Sequence, residues 1–387
     1  MQYFRRFICV LCVFSGLSAL AQGFEDGAVI KSQDANFKLE YVISAGSPLK
    51  QPWSMAFLPD GSFLVADKVG DLYLYESGAL NEEPIKGLPK ILVTGQGGLL
   101  DLELHPQFEQ NGWIYISFSK EGRLSKRGGM TALVRAKLDR DQMRLTELET
   151  IYEIKDPDHF SRGGRHWGTR TVFDEEGYLY IAIGDRGQQD KAQDLGLPHG
   201  SIFRLNDDGS IPQDNPFVGQ SGVYEGIWSY GHRNPQGMAF HPETGELFSI
   251  EHGPKGGDEL NWVRKGRNYG WPEITYGVNY SGTKITDRTE APGMEQPVKY
   301  WVPSPAPCGM AIYSGDTIPA WKNNFFIANL RHEKLIRLAI DEDLKVVQEE
   351  DLLEGIGRLR DVETGPEGNL WVLAERPGRI IKIVPAE

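Results

Sequence analysis

One unit recurs six times along the chain: a turn of Asn or of Gly after a polar residue, a short β-branched or aromatic run, then a polar loop. It reads Asp60-Gly61-Ser62-Phe63-Leu64-Val65, Asn111-Gly112-Trp113-Ile114-Tyr115-Ile116, Glu176-Gly177-Tyr178-Leu179-Tyr180-Ile181, Thr244-Gly245-Glu246-Leu247-Phe248, Asn323-Asn324-Phe325-Phe326-Ile327 and Glu367-Gly368-Asn369-Leu370-Trp371-Val372. The turn residues favour tight hairpins, and the runs after them are strand formers. Spacings of roughly 45 to 80 residues suit a four-stranded sheet with loops of unequal length, and one such unit cannot bury both its faces. Stacked radially, each sheet is covered by two neighbours and only short edges remain. The expected architecture is an all-β, six-bladed β-propeller formed by residues 22–387 as one domain. Segments with apolar residues at helical spacing are few, and glycine, 45 of 387 residues, exceeds the usual share of about 7%, as a turn-rich β fold requires.

A propeller gathers its connecting loops at the two ends of a central channel. The long irregular segments at 94–103, 156–170, 184–199, 228–237, 251–283, 301–309, 329–334 and 355–361 are therefore expected to converge on the channel mouth.

The chain begins with Arg5 and Arg6, an apolar run from Phe7 to Leu20, and Ala19-Leu20-Ala21, the pattern of a secretory signal cleaved to leave Gln22 first. The run is about fourteen residues, short of the roughly twenty that span a bilayer, so no membrane anchor is expected and the mature protein should be exported, periplasmic or secreted. Cys9 and Cys12 fall inside the signal, leaving Cys308 alone; with no C-x-x-C-H, any redox group must be held non-covalently. The net charge is -13, and removing the signal leaves 39 basic against 54 acidic residues, a surface that repels nucleic acid and anionic lipid. No G-x-G-x-x-G follows a strand and opens a helix, which argues against nicotinamide or flavin chemistry.

Three polar clusters stand on the expected mouth loops. The first is Tyr230-Gly231-His232-Arg233-Asn234-Pro235-Gln236-Gly237, followed by Glu251-His252-Gly253-Pro254 and Asp258-Glu259; alone, it reads equally as a pair of tight turns. The second is Gly164-Arg165-His166-Trp167-Gly168-Thr169-Arg170, with Asp185 at the end of the next strand placed to hold the His166 imidazole in one tautomer. The third is cationic, with Arg331, Arg358 and Arg360, whose guanidinium forks match the carboxylates of a polycarboxylate ligand.

Together these segments resemble the soluble quinoprotein sugar dehydrogenases, the glucose/sorbosone dehydrogenase family, and especially its shorter aldose dehydrogenase branch. The resemblance covers nearly the whole mature chain. It is carried by Gln96-Gly97-Gly98-Leu99-Leu100-Asp101, the His166 segment, the run Ile227 to Met238, Glu251-His252-Gly253-Pro254 and Asn268-Tyr269-Gly270-Trp271-Pro272. It implies pyrroloquinoline quinone (PQQ) lying across the channel mouth, Ca²⁺ at the quinone edge, and oxidation of the anomeric hydroxyl of aldoses to lactones, with electrons passed to an external acceptor. It further implies His166 as proton acceptor, and Gln96, Arg233, Asn234, Tyr280, Arg331, Arg358 and Arg360 as quinone contacts. Gly253 and Pro254 would offer carbonyls to the cofactor Ca²⁺, while Glu259 and Tyr269 match a second, structural Ca²⁺ site.

The implied chemistry is coherent. A sugar hydroxyl yields hydride readily only as its proton leaves, and a neutral imidazole can take that proton, while Ca²⁺ and Arg233 would stabilise charge developing on the quinone oxygen. Oxygen donors without a Cys or His cluster favour Ca²⁺ over Zn²⁺ or copper. Three departures from the family pattern stand out: Thr169 where Gly is usual, Arg331 where some members have Lys, and Pro307-Cys308 interrupting the Ser304-Pro305-Ala306 loop. Two other readings compete. A calcium-dependent lactonase or esterase would need carboxylates converging on the channel axis, whereas the acidic residues here are expected at blade edges; in a ligand-binding propeller without catalysis the Arg and His convergence would have no use.

Overall fold

The computed structural model describes residues 24–386 apart from 123–127 and 157–158, so the expected signal at 1–21, with Cys9 and Cys12, lies outside the described residues. Six antiparallel sheets make up almost all of it; among the described residues helix amounts to Phe108–Asn111 and short 3-10 turns such as Gln189–Gln193 and Pro319–Trp321. The six recurring turns fall one per sheet. Gly61, Gly112, Gly177, Gly245, Asn323 and Gly368 all take the left-handed conformation, with φ between 61 and 86°. That region suits Gly and tolerates Asn. Each turn opens the second strand of its sheet: Phe63–Asp67, Ile114–Glu121, Leu179–Ile183, Leu247–Glu251, Phe325–Asn329 and Leu370–Arg376. These strands are buried over nearly their whole length because a blade lies on each side. The chain is thus a six-bladed β-propeller.

The ring is closed by its ends. Strand Asn36–Ile43 pairs antiparallel with Gly378–Pro385, Leu39 facing Ile383, so the sixth sheet takes strands from both ends of the described chain. Between this blade and the fifth, Phe37, Leu39, Val362 and Ile381 pack against Phe326, Ala328 and Leu335, none of them exposed. Each large side chain buried this way contributes about 1.5–3 kcal/mol, and such layers recur between blades.

The innermost strands are Pro52–Phe57, Leu99–Leu104, Gly168–Phe173, Pro235–Phe240, Pro307–Ile312 and Arg358–Thr364, each touching the next around the axis. Several begin inside segments that read as loops, at Leu99, Pro235, Pro307 and Arg358. They face a polar axis rather than a second apolar layer, so the unbroken apolar run that marks the second strands is missing from their sequence.

One buried ion network ties all six together. Arg170 donates to Asp101 at 2.9 Å and to the Gln236 carbonyl at 3.2 Å, and forms an ion pair with Asp361 at 2.9 Å. Asp101 also accepts the Thr171 amide at 2.6 Å, Asp361 accepts the Met55 amide at 3.2 Å, and Gly309 packs so tightly that a Cβ would lie 2.3 Å from an Asp361 oxygen. Below it a channel of about 250 Å³ is lined by Glu103, Glu363 and Thr364 with Met238, Met310 and Phe240. Burial pushes Glu103 and Glu363 well above the usual carboxylate range, and Asp101 up to about 6 despite Arg170. The expectation that carboxylates keep to blade edges is therefore corrected: Asp101, Glu103, Asp361 and Glu363 all stand on inner strands, where Arg170 pairs with Asp101 and Asp361 and burial favours the protonated form of the two Glu.

Candidate active site

Every inner strand breaks register at its mouth end, between Pro52 and Ser54, Leu99 and Asp101, Gly168 and Thr171, Pro235 and Gly237, Pro307 and Met310, and Arg358 and Asp361. A bulge re-aims side chains out of the alternating pattern. The bulged segments turn Trp53, Leu100, Gln236 and Arg360 into a cleft of about 110 Å³, lined also by Gln96, Trp167, Gly168, Asn234, His252, Leu330 and Arg358.

His166 stands at the rim of this cleft, its side chain 13% exposed. Its backbone is left-handed, φ 53°, a strained setting for such a residue, and Gly184 beneath it has no room for a side chain: a Cβ there would lie 2.2 Å from the His166 carbonyl oxygen. The His166 amide donates to Gln96 Oε1 at 2.7 Å. Its Nδ1 lies 2.6 Å from Asp185 Oδ1, and Asp185 is buried. Burial works against the Asp185 charge, but the bond to His166, Arg233 and the Gly187 amide at 2.6 Å hold it below the usual range. An ionised carboxylate only accepts, so Nδ1 carries the proton and Nε2 keeps its lone pair. Burial, helped by Arg233 and Arg165, lowers the imidazole pKa against the pull of Asp185, so His166 is neutral at neutral pH.

Arg233 is 6% exposed; its Nη1 donates to the carbonyls of His252 and Gly253 at 2.9 and 2.6 Å, and its backbone amide to Glu251 at 2.6 Å. Its Nε and the Trp167 indole nitrogen are buried with no hydrogen-bond partner among the described residues. Arg360 crosses the Trp53 ring at 3.5 Å and, with Arg358, grips Glu375, while its Nη1 meets Cys308 Sγ at 3.1 Å. Glu375, which no motif marks, halves the charge expected of those two forks.

The expected site residues thus divide. Gln96, His166, Asp185, Arg233, Asn234, Arg358 and Arg360 gather at one mouth. Arg331 is exposed, and among the described residues its guanidinium donates only to the Ser304 carbonyl at 3.4 Å, while Tyr280 is 76% exposed on the rim. Thr169 takes φ 89°, the backbone a glycine would take, in spite of its branched side chain. The Gly253 carbonyl points to Arg233 rather than to open space, and beside it Pro254 is buried. Glu259 and Tyr269 meet at a second cavity of about 10 Å³, the size of a single atom or water, lined also by Glu251, Arg233 and Trp271 and sharing His252 with the cleft. Burial, with Glu251 nearby, pushes Glu259 up to about 8. The Tyr269 hydroxyl is turned away, donating to the Trp262 carbonyl, while its ring stacks on His232 at 4.5 Å. Trp53, Trp167, Gln236 and Trp271 were not singled out from the sequence; all but Trp53 lie in the quoted motifs, but only the bulges and the loop return reveal their direction.

A carboxylate-steered histidine opposite a buried guanidinium, at the mouth of a polar channel, defines a propeller enzyme, and comparison with known proteins gives its class as oxidoreductase. The chain belongs to the Glucose / Sorbosone dehydrogenase family, whose model matches residues 49–382. It is 44% identical over 342 residues to aldose sugar dehydrogenase YliI of Escherichia coli (strain K12), covering 87% of this chain and 91% of that one. The crystal structure of the soluble aldose sugar dehydrogenase from Escherichia coli in the apo-form aligns with a TM-score of 0.84 at 41% identity, over 90% of this chain and 100% of that one. The PQQ-bound form of aldose sugar dehydrogenase from Streptomyces coelicolor aligns with a TM-score of 0.71 at 27% identity, over 90% of this chain and 98% of that one.

Proposed function

We propose that the chain oxidises the anomeric hydroxyl of aldose sugars to the lactone, with PQQ held at the channel mouth and electrons leaving to a separate acceptor. The observation that carries this reading is the neutral His166 imidazole, steered by Asp185, on the rim of a cleft walled by Gln96, Asn234, Arg358 and Arg360. The cleft suits a flat polycarboxylate: it offers cations, amides, the orphaned Nε1 of Trp167, and indole walls from Trp53 and Trp167, while Arg233, with an orphaned Nε, lines the small cavity that meets it at His252. Gln96, Asn234, Arg233, Arg358 and Arg360 would hold the quinone, with Tyr280 and Arg331 as rim contacts, and when bound it supplies the hydride acceptor. His166 Nε2 takes the hydroxyl proton, Asp185 stabilises the imidazolium that forms, and Arg233 keeps positive charge at the mouth where negative charge develops.

The two calcium assignments fare differently. Glu251 and Glu259 crowd a void of atomic size and repel each other, so a dication there fits the donors. At the quinone edge the Gly253 carbonyl is already taken by Arg233, so the donor pair Gly253 and Pro254 does not fit an ion as it stands, and no step is drawn through one. The lactonase reading is disfavoured because Asp101 and Asp361 bind Arg170, while burial holds Glu103 and Glu363, which line the channel, toward the protonated form that binds no ion. Export after removal of residues 1–21 is part of the proposal; among the described residues no helix is long and apolar enough to cross a membrane.

The test is reconstitution of the purified chain with PQQ, with and without Ca²⁺, and dye reduction by a panel of aldoses. Turnover with aldoses, abolished in His166→Ala with quinone binding retained, is expected; failure of every sugar to reduce the dye would sink the dehydrogenase reading.

A further inference from the structure

We infer that Trp271 is a positioning residue of this site, one ring that holds Asp185 behind the base and Arg233 beside it in a fixed relation. The inference rests on the reading of His166 as the base and deepens it.

Trp271 belongs to the long 264–298 excursion of the fourth blade, which folds back to the mouth. There its amide donates to the Gly231 carbonyl at 2.8 Å, and its own carbonyl accepts from the Gln193 side-chain Nε2 at 2.8 Å. With its backbone pinned, the indole Nε1 donates to Asp185 Oδ2 at 2.9 Å. The carboxylate thus receives three donors from three separate segments: His166 Nδ1 and the Gly187 amide on Oδ1, and Trp271 alone on Oδ2. The Arg233 guanidinium carbon lies 5.2 Å from the same indole ring, within cation–π range. A buried indole in this protein does not need a partner, since Trp167, Trp321 and Trp371 leave their Nε1 unpaired among the described residues. Trp271 directs its N–H at the one carboxylate that steers the base, and its face at the one guanidinium opposite.

Removing that N–H leaves Oδ2 a buried, unsatisfied acceptor. The carboxylate becomes more basic, pulls harder on the imidazolium and is freer to rotate. The charged and titratable groups facing His166 are Asp185, Arg233 and Arg165, with His252 behind the cleft, and Trp271→Phe changes the charge of none of them. The expected result in the PQQ-reconstituted enzyme is a fall in kcat of about 10-fold or more, KM for the aldose changed less than about twofold, and the acid limb of kcat/KM moved to higher pH by about half a unit. In the chain without quinone, NMR of labelled histidines should show the His166 imidazole titrating higher by a similar amount. Trp271→Tyr, which also lacks the indole N–H, is expected to give the same shift should Trp271→Phe not fold. Because Trp271 acts through Asp185, the double variant Trp271→Phe/Asp185→Asn should be no slower than Asp185→Asn.

Unmoved His166 titration and pH limb in the variant, or a double variant slower by the product of the two single effects, would overturn the inference. Undiminished turnover in His166→Ala would instead overturn the function on which it rests, and the two failures are read from different variants.

Discussion

The axial ion network gives the most quantitative prediction. Arg170→Met removes a guanidinium whose Nη1 and Nη2 each lie 2.9 Å from a carboxylate and leaves Asp101 and Asp361, both at most 2% exposed, without their cation. Breaking a buried pair from one side costs about 3–5 kcal/mol. For a chain of 387 residues the unfolding entropy is about 0.8 kcal/mol/K, so Tm should fall by about 4–6 °C. The loss should also depend on pH, and its sign is fixed. Asp101 has its folded pKa raised to about 6, above the unfolded value near 3.9, so the folded state holds the proton more tightly and stability declines as pH rises between those values. Without Arg170 both carboxyls move higher still, and the decline continues above pH 6. The gap between wild type and variant, followed by circular dichroism melts, is therefore larger at pH 8 than at pH 5. Adding Asp101→Asn and Asp361→Asn should restore most of the loss, because the uncompensated charge is then gone. A Tm change below about 1 °C, or a gap that does not vary with pH, would refute the claim that this cluster holds the six inner strands together.

Further outcomes are expected elsewhere. Thr169→Gly relieves strain of about 1–2 kcal/mol at φ 89° and adds about 0.5–1 kcal/mol of unfolded-chain entropy, so the urea midpoint should rise slightly; a clear drop would mean that the packing of the Thr side chain outweighs its backbone cost. Burial lowers the His166 pKa, so the acid limb of kcat/KM in the reconstituted enzyme should lie below pH 6.5, with activity lost as pH falls through it; a limb above 6.5 contradicts the assignment. Excess Ca²⁺, at 100-fold its Kd, should stabilise the protein by about 2.7 kcal/mol, and Glu259→Gln should remove most of that gain while a chelator reverses it in the wild type; an unchanged gain in the variant places the ion elsewhere.

The blades were legible because each carries its own punctuation. All six turn residues read from the sequence adopt positive φ, and each opens the second, doubly covered strand of its blade, where β-branched and aromatic residues must run without polar interruption. The inner strands were harder to read. Leu99–Leu104 and Arg358–Thr364 alternate charge with apolar residues toward a channel, and their bulges break the period further, so they pass for loop. For the same reason Asp101, Glu103 and Asp361 looked like edge carboxylates, since nothing in a linear pattern shows that Arg170 stands among them. Within the site, the pairing of His166 with Asp185 was legible, because a strand end and a glycine-rich loop leave few places for either to go. Glu375 was not: it lies on the second strand of the closing blade, and only register puts it across from Arg358 and Arg360.

The central claim is that one imidazole at the channel mouth removes the proton that lets an aldose surrender its anomeric hydrogen. Its most direct test is a single-turnover, stopped-flow comparison of wild type and His166→Ala, both loaded with PQQ, using an aldose carrying hydrogen or deuterium at C1. A primary isotope effect on quinone reduction is expected in the wild type, and a rate about 10²–10⁴-fold slower in the variant at equal quinone content. Reduction in His166→Ala within about tenfold of wild type would contradict it.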